Sequence, residues 1–218
     1  TIFKQSINKC LTSRKIEMPK KVVVVGSGNA ALSAGIAALE KGADVVIYEK
    51  ADKKMAGGNT KYTAGAMRFS YENGDQLIDL LKHPDDKRIK DTDFGTYTNE
   101  KFSLDLLNFN DGRPLSPEQK ILVSKSFETI QWLASHNVKF EPIYSRQSFL
   151  KDGKHIFWGG LTLASENEGV GLFDQELAAY LSLGGKIHYN SPVNKLIYEN
   201  NEVSGVLVDN KSVEADAV

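Results

Sequence analysis

Three groups of residues in this chain have the types and spacing to hold a phosphorylated ligand. In Gly26-Ser27-Gly28-Asn29-Ala30-Ala31, two glycines and a small third position stand where a tight turn leads into a helix. Gly26 can make that turn, Gly28 lets backbone come close to a pyrophosphate, and Ala31 lets the helix pack near a sheet. Free N–H groups at the helix start then face the phosphates, where the dipole adds about 0.3–1 kcal/mol per favourable charge. Glu49 follows about 20 residues later, where a carboxylate can accept both hydroxyls of a ribose, and Lys50 stands beside it. Such a charge-assisted hydrogen bond contributes about 1.5–3 kcal/mol, and the same charge repels a 2′-phosphate, which disfavours an NADP-type ligand. The third group is Gly57-Gly58-Asn59-Thr60-Lys61-Tyr62-Thr63-Ala64-Gly65-Ala66. Adjacent glycines with an amide and hydroxyls can wrap backbone around an anion and donate hydrogen bonds to it. A plain NAD site has no need of a second glycine loop directly after the ribose acid, whereas the longer flavin dinucleotide does.

These groups need particular elements to position them. Lys21 to Val25 is an unbroken, valine-rich apolar run, the pattern of a strand covered on both faces in a parallel sheet. Leu32, Ile36 and Leu39 recur at helical spacing up to Lys41, and Gly42 is placed to end that helix at its C′ position. Val45 to Tyr48 repeats the apolar strand and runs into Glu49. Strand, glycine turn, helix and strand make a βαβ unit.

Composition narrows the alternatives. With 218 residues and 41% hydrophobic content, the chain can build a substantial core. Its net charge of −1, from 27 basic and 28 acidic residues, comes without a basic stripe and argues against a nucleic-acid partner. Cys10 is the single cysteine, which excludes an internal disulfide and fits a reducing, cytoplasmic compartment. The histidines His83, His136, His155 and His188 are scattered, none at metal-ligand spacing. No apolar stretch approaches the roughly 20 residues of a membrane span. Residues 1–18 are expected to be an extension or a leader ahead of one FAD-binding domain over 19–218, since Met18-Pro19-Lys20 directly precedes the first strand.

GSGNAALSAGIAALEKGADVVIYEK followed by GGNTKYTAGA resembles the FAD-binding half of the fumarate reductase and succinate dehydrogenase flavoprotein family. The Asn-Ala-Ala after the second glycine, with YTNEKFSLDLL, GRPLSPEQ and WLASHNVKF further on, is most similar to tricarballylate dehydrogenase-like members. The resemblance implies that Gly26, Gly28, Asn29, Ala30 and Ala31 line the pyrophosphate and that Glu49, beside Lys50, holds the adenosine ribose. Gly57, Gly58, Asn59, Thr60, Thr63 and Gly65 would approach the pyrophosphate and flavin, and Val193 the adenine. Members that tether FAD covalently carry a histidine in this loop; Asn59 is the matching position here, which implies non-covalent FAD. Thr162, Ser165 and Asn167 are candidate polar contacts. The tricarballylate-type pattern has an arginine where this chain has Ser165-Glu166-Asn167, an exchange that disfavours a polycarboxylate there. The family's catalytic groups, substrate-clamping domain and second flavin motif fall beyond Val218, so a truncated chain, a fragment or half of a split protein is expected.

The remaining segments fit an α/β, Rossmann-like FAD-binding fold with a parallel central sheet, flanking helices and a small antiparallel β-meander. Residues 71–115 are polar, with short helices expected at about 75–81 and 98–107 in an otherwise mobile excursion. Ser116-Pro117-Glu118-Gln119 starts a helix, with Ile121, Leu122, Phe127, Ile130 and Leu133 expected inward and Asn137 as its stop. Residues 145–163 read as loop and short strand. A helix from Gly169 with Leu172, Phe173, Leu177 and Leu181 inward ends at Gly184-Gly185. Strands follow over 186–189, then, after Ser191-Pro192-Val193, over 196–198, 203–208 and 213–218, with turns at Asn200-Asn201 and Asn210-Lys211. The function expected is hydride transfer between flavin and a carbon next to a carboxylate of a small-molecule substrate. The alternatives are a non-catalytic nucleotide-binding module acting with a partner chain, and an NAD-dependent dehydrogenase; self-association, or a partner chain that supplies the missing half, is expected.

Overall fold

The computed structural model describes residues 19–218; the extension expected over 1–18, with Cys10, lies outside the described residues. The strands and helices run β1 (Lys21–Val25), α1 (Asn29–Glu40), β2 (Asp44–Tyr48), β3 (Ala66–Met67), α2 (Asp75–Ile78), β4 (Thr92–Asp93), α3 (Asn99–Phe109) and α4 (Pro117–Ser135). They continue with β5 (Phe140–Pro142), α5 (Tyr144–Gln147), β6 (Ser148–Lys151), β7 (Lys154–Phe157), β8 (Leu163–Ser165), α6 (Glu168–Ser182) and β9 (Lys186–His188). The meander β10 (Val193–Glu199), β11 (Glu202–Val208) and β12 (Lys211–Glu214) comes last.

β1, β2 and β9 form a parallel sheet in that order. Val22, Val23 and Val24 stand opposite Val45, Val46 and Ile47, and Ile47 stands opposite Ile187. The free side of β1 is bonded by the chain after β12, where Val23 N–H donates to the Ala217 carbonyl at 3.0 Å. The strand read from sequence over 213–218 is therefore divided. Its first part pairs with β11 as β12, and Asp216-Ala217 turns onto β1. Both faces of β1 are covered, as an all-apolar strand requires. Val22 and Val24 pack with Leu32 and Ile36 of α1, while Val23 packs with Val206 and Val208 of β11.

The helix stops follow their sequence signals. Gly42 after α1 and Asn137 after α4 take φ of 81° and 66°, the left-handed conformation that glycine and asparagine tolerate best. α4 begins in a complete capping box: Ser116 accepts from the Gln119 N–H, and the Gln119 side chain accepts from the Ser116 N–H. Its buried stripe is Val123, Ser126, Ile130 and Leu133, whereas Ile121 and Leu122 are 62% and 49% exposed. The inward face expected from sequence was thus too broad, because these two residues fall off the i, i+3, i+7 line. Leu181 of α6 is exposed for the same reason; the helix turns Phe173, Glu176 and Tyr180 inward instead.

The polar stretch 71–115 is not a detached excursion. Tyr71, Leu77, Leu80, Leu81, Phe94, Tyr97 and Phe102 are buried in one core with Ile130, Leu133 and Phe140. The charges face outward and a sparse set of large apolar side chains anchors the segment, which a search for regular periodicity passes over. Residues 145–163 contain a hairpin, β6–β7, turning at Asp152-Gly153 with φ of 51° and 80°. The meander turns at Asn200-Asn201 and at Asp209-Asn210 have both central residues left-handed. The second lies one residue earlier than the sequence reading, because Asp and Asn adopt positive φ more readily than Lys211, which pairs in β12. Trp132 touches both main cores and donates from Nε1 to Glu40 of α1 at 3.0 Å, so it packs and does not face a ligand groove.

Ser116→Ala removes the capping box of the longest helix. It is expected to lower unfolding stability by about 1 kcal/mol, read as a shifted denaturation midpoint with unchanged slope.

Candidate functional site

A groove of about 340 Å³ opens at the carboxyl ends of β1 and β2. Val25, Gly26, Ser27, Gly28, Tyr48, Glu49 and Lys50 line it from the βαβ unit, Gly58 from the second glycine loop, and Pro192 and Val193 from the start of the meander. The carboxyl edge of a parallel sheet is where α/β folds hold their ligands. Gly26 takes φ 88° in the turn out of β1, a conformation in which a side chain would be strained. Gly28 is the N-cap of α1 and supplies no side-chain cap of its own. A Cβ on Gly28 would lie 3.2 Å from the Thr60 hydroxyl, so the close packing of the two glycine loops depends on its absence.

Ser27 joins the three elements. It is 1% exposed. Its hydroxyl donates to Glu49 Oε2 at 2.5 Å and accepts from the Gly57 N–H at 3.0 Å. The other Glu49 oxygen accepts from the Ala51 N–H at 2.8 Å. A carboxylate has about four acceptor positions, so Glu49 keeps capacity for ribose hydroxyls on the groove side. A second tie runs from the Asn29 N–H of α1 to the Thr60 hydroxyl at 2.9 Å.

Among the sequence-derived candidates, Gly26, Gly28, Glu49, Lys50, Gly58 and Val193 converge on the groove. Ala30 and Ala31 sit in the first turn of α1 beside it. The others surround it with structural bonds. Gly57 takes φ 106° and packs on Lys61 and Phe173. The 3₁₀ turn Gly58–Tyr62 leaves Asn59 exposed. Thr63 donates to the Thr60 carbonyl and accepts from the Gly65 N–H, and a Cβ on buried Gly65 would run into Ser165. Thr162 is buried in a bond with the Tyr71 hydroxyl, Ser165 donates to the Glu168 carbonyl, and Asn167 sits exposed at the N-cap of α6. Glu166 pairs with Lys82, which draws its carboxyl below the usual range.

Two residues that the sequence reading missed matter most: Ser27 and Glu176. Glu176 of α6 is fully buried beneath the first turn of α1. Ser33 donates to it at 2.9 Å, and the Asn29 amide, turned with its nitrogen toward the carboxyl, donates at 2.8 and 3.0 Å. Asn29 thus meets Glu176 with its side chain. Burial pushes the Glu176 carboxyl up to about 7, with the Ser33 bond partly opposing. An acid on the apolar stripe of α6, between Phe173 and Tyr180, was the available signal. Ser27 offered none, being the residue between the two glycines of the turn.

The sequence matches the FAD binding domain family over residues 21–217. The chain belongs to that family. This FAD-binding domain is 30% identical over 120 residues to the digoxin reductase of Eggerthella lenta, a match covering 55% of this chain and 19% of that protein. It is 32% identical over 114 residues to the cytochrome-type fumarate reductase of Shewanella frigidimarina, covering 52% and 17%. Its fold is like that of a flavocytochrome c3 fumarate reductase in the open conformation, with TM-score 0.60, 24% identity, and coverage of 91% of this chain and 32% of that one. The domain therefore spans only a part of its relatives' length. Its cofactor is FAD, and the helix start at Gly28, the glycine turn and buried Glu49 fit a dinucleotide. Among the described residues no acidic, histidine or cysteine cluster could hold a metal, and no helix is long and apolar enough to cross a membrane.

Ser27→Ala leaves the buried Gly57 N–H without its acceptor and is expected to cost about 1–3 kcal/mol in a denaturation experiment. Glu176 binds a proton more tightly folded than unfolded, so its contribution to stability is complete below the ordinary carboxyl value and falls as pH rises from about 4.5 to about 7. Glu176→Gln is expected to be more stable than the unmodified protein above pH 7, by up to about 3 kcal/mol, and to converge with it near pH 4.5.

Proposed function

We propose that this chain is the cofactor-holding portion of a flavin-dependent oxidoreductase of the fumarate reductase type, with FAD bound non-covalently. The observation that carries this reading is the Ser27 bridge, which ties the ribose acid Glu49 to Gly57 of the second loop and so brings two glycine turns to one groove. A mononucleotide or a short nicotinamide dinucleotide needs one such turn; a flavin dinucleotide uses both. Bound FAD supplies hydride transfer at N5 to or from a carbon adjacent to a carboxylate.

The chain's own residues bind and orient. The first turn of α1 faces the pyrophosphate with the N–H groups that Thr60 does not take, Glu49 accepts the ribose hydroxyls, and Val193 and Pro192 cover the adenine end of the groove. Asn59 offers no imidazole for a covalent link. The residues lining the groove are assigned binding and orienting roles alone. The relatives named above are longer proteins, which accords with that assignment.

The purified protein is expected to carry flavin absorbance, and acid precipitation is expected to release all of it as FAD into the supernatant. Glu49→Ala is expected to weaken FAD binding at least tenfold, the equivalent of about 1.4 kcal/mol or more. Protein that retains no flavin and binds none on addition would overturn the proposal, and flavin remaining with the pellet would overturn its non-covalent part.

A further inference from the structure

Beneath the groove lies a polar cluster that binding alone does not require. Asn29, Ser33 and Glu176 meet between α1 and α6 in surroundings that are otherwise apolar, with Leu32, Ile36, Phe173, Ala179 and Tyr180 filling the same core. The cluster sits under the first turn of α1, the turn whose N–H groups face the pyrophosphate. A buried polar group is retained against its desolvation only where it is well bonded or has work to do.

We propose that Glu176 is a positioning residue for the FAD site, setting the first turn of α1 through Asn29, and that FAD binding is coupled to protonation of its carboxyl. Asn29 can meet either form. An ionised carboxylate requires the amide nitrogen, while a carboxylic acid can donate to the amide oxygen after a half-turn of the same side chain. The proton on Glu176 therefore decides which end of the Asn29 amide is turned inward. The Asn29 backbone N–H meanwhile stays tied to Thr60 of the second loop.

The direction of coupling follows from charge. A dinucleotide brings two negative phosphates to the α1 terminus, and a buried anion next to that turn opposes them in a medium of low dielectric. Binding therefore draws a proton onto Glu176, and affinity falls as that proton is lost. Among the described residues no charged neighbour offsets this. From the 3₁₀ turn Gly58–Tyr62, Lys61 is spent on the Lys54 carbonyl and the Phe173 ring. On α1 the acid is Glu40, at the far end and bonded to Trp132 and His136. On α6 itself Glu168 pairs with Arg146 and Asp174 is exposed, while β8 contributes only Leu163, Ala164 and Ser165. Consistent with this, burial raises the carboxyl and what opposes it is hydrogen bonding, not a neighbouring charge.

This inference rests on FAD as the ligand, and the test separates the two. FAD affinity is measured by flavin fluorescence from pH 5.5 to 8.5 for the unmodified protein, Glu176→Gln and Glu176→Ala. The unmodified protein is expected to lose about tenfold in affinity between pH 6 and pH 8.5. Glu176→Gln is expected to bind tightly at every pH, and Glu176→Ala weakly at every pH because Asn29 loses its partner. Calorimetry of the unmodified protein at pH 7 in two buffers of different ionisation enthalpy is expected to show proton uptake on binding, a readout that needs no variant. Parallel pH curves for the unmodified protein and Glu176→Gln, or absence of proton uptake, would overturn this coupling while leaving FAD as the ligand. Failure to bind FAD at any pH would overturn both.

Discussion

The site depends on one hydroxyl group. Ser27 sits between two glycines that are held to their conformations by the turn and by close packing, and it uses both of its hydrogen-bonding roles at once. As a donor it fixes the Glu49 carboxylate at the end of β2. As an acceptor it fixes the backbone of Gly57, from which the second loop starts. Both partners are buried with it, so the low local dielectric strengthens each bond and penalises the loss of either. Glu49, the glycine turn after β1 and the second glycine loop come from three separate stretches of chain, and this bridge gives them one geometry.

α1 forms the second layer. Its N-terminus is open toward the groove, and its body is wedged between the parallel sheet and α6. Gly35 allows that wedge: a Cβ there would come within 2.8 Å of the Tyr180 ring. The Tyr180 hydroxyl in turn donates to the carbonyls of Val45 and Lys186, so the helix beneath the cofactor helix is pinned to β2 and β9. Glu176 lies on the same face of α6 one turn away, which places a titratable group inside the packing that orients the first turn of α1.

Much of this was legible in the sequence because it rests on local rules. The βαβ unit, the capping box at Ser116, the stops at Gly42 and Asn137 and the Asn200-Asn201 turn each follow from a residue type fixed by its own φ, ψ or hydrogen bond. The groove residues Gly26, Gly28 and Glu49 could be named because spacing along a βαβ unit translates directly into position, whereas Gly58 and Val193 were named from the family resemblance. What could not be read depends on contacts between distant segments. Ser27 is informative only once Glu49 and Gly57 are placed around it. Residues 71–115 look polar because most of them are, yet Tyr71, Phe94, Tyr97 and Phe102 are enough to build a core with α4. Asn29 was assigned to the ligand from its place in the turn, although its side chain meets an acid far along the chain. Thr162 and Ser165, chosen for their polarity, proved to be committed to bonds within the protein.

The parallel sheet also bears on how the molecule assembles. β1 and β2 are neighbours in sequence, but β9, which pairs with β2, follows only after an intervening stretch of about 140 residues, a large loop to close before any contact repays it. The chain that flanks β1 on its other side arrives later still, as does the meander that covers Val23. A valine-rich strand with open edges must therefore wait while most of the polypeptide is made. That interval exposes it to pairing with other nascent chains, a hazard for which chaperone protection during synthesis is the physical remedy.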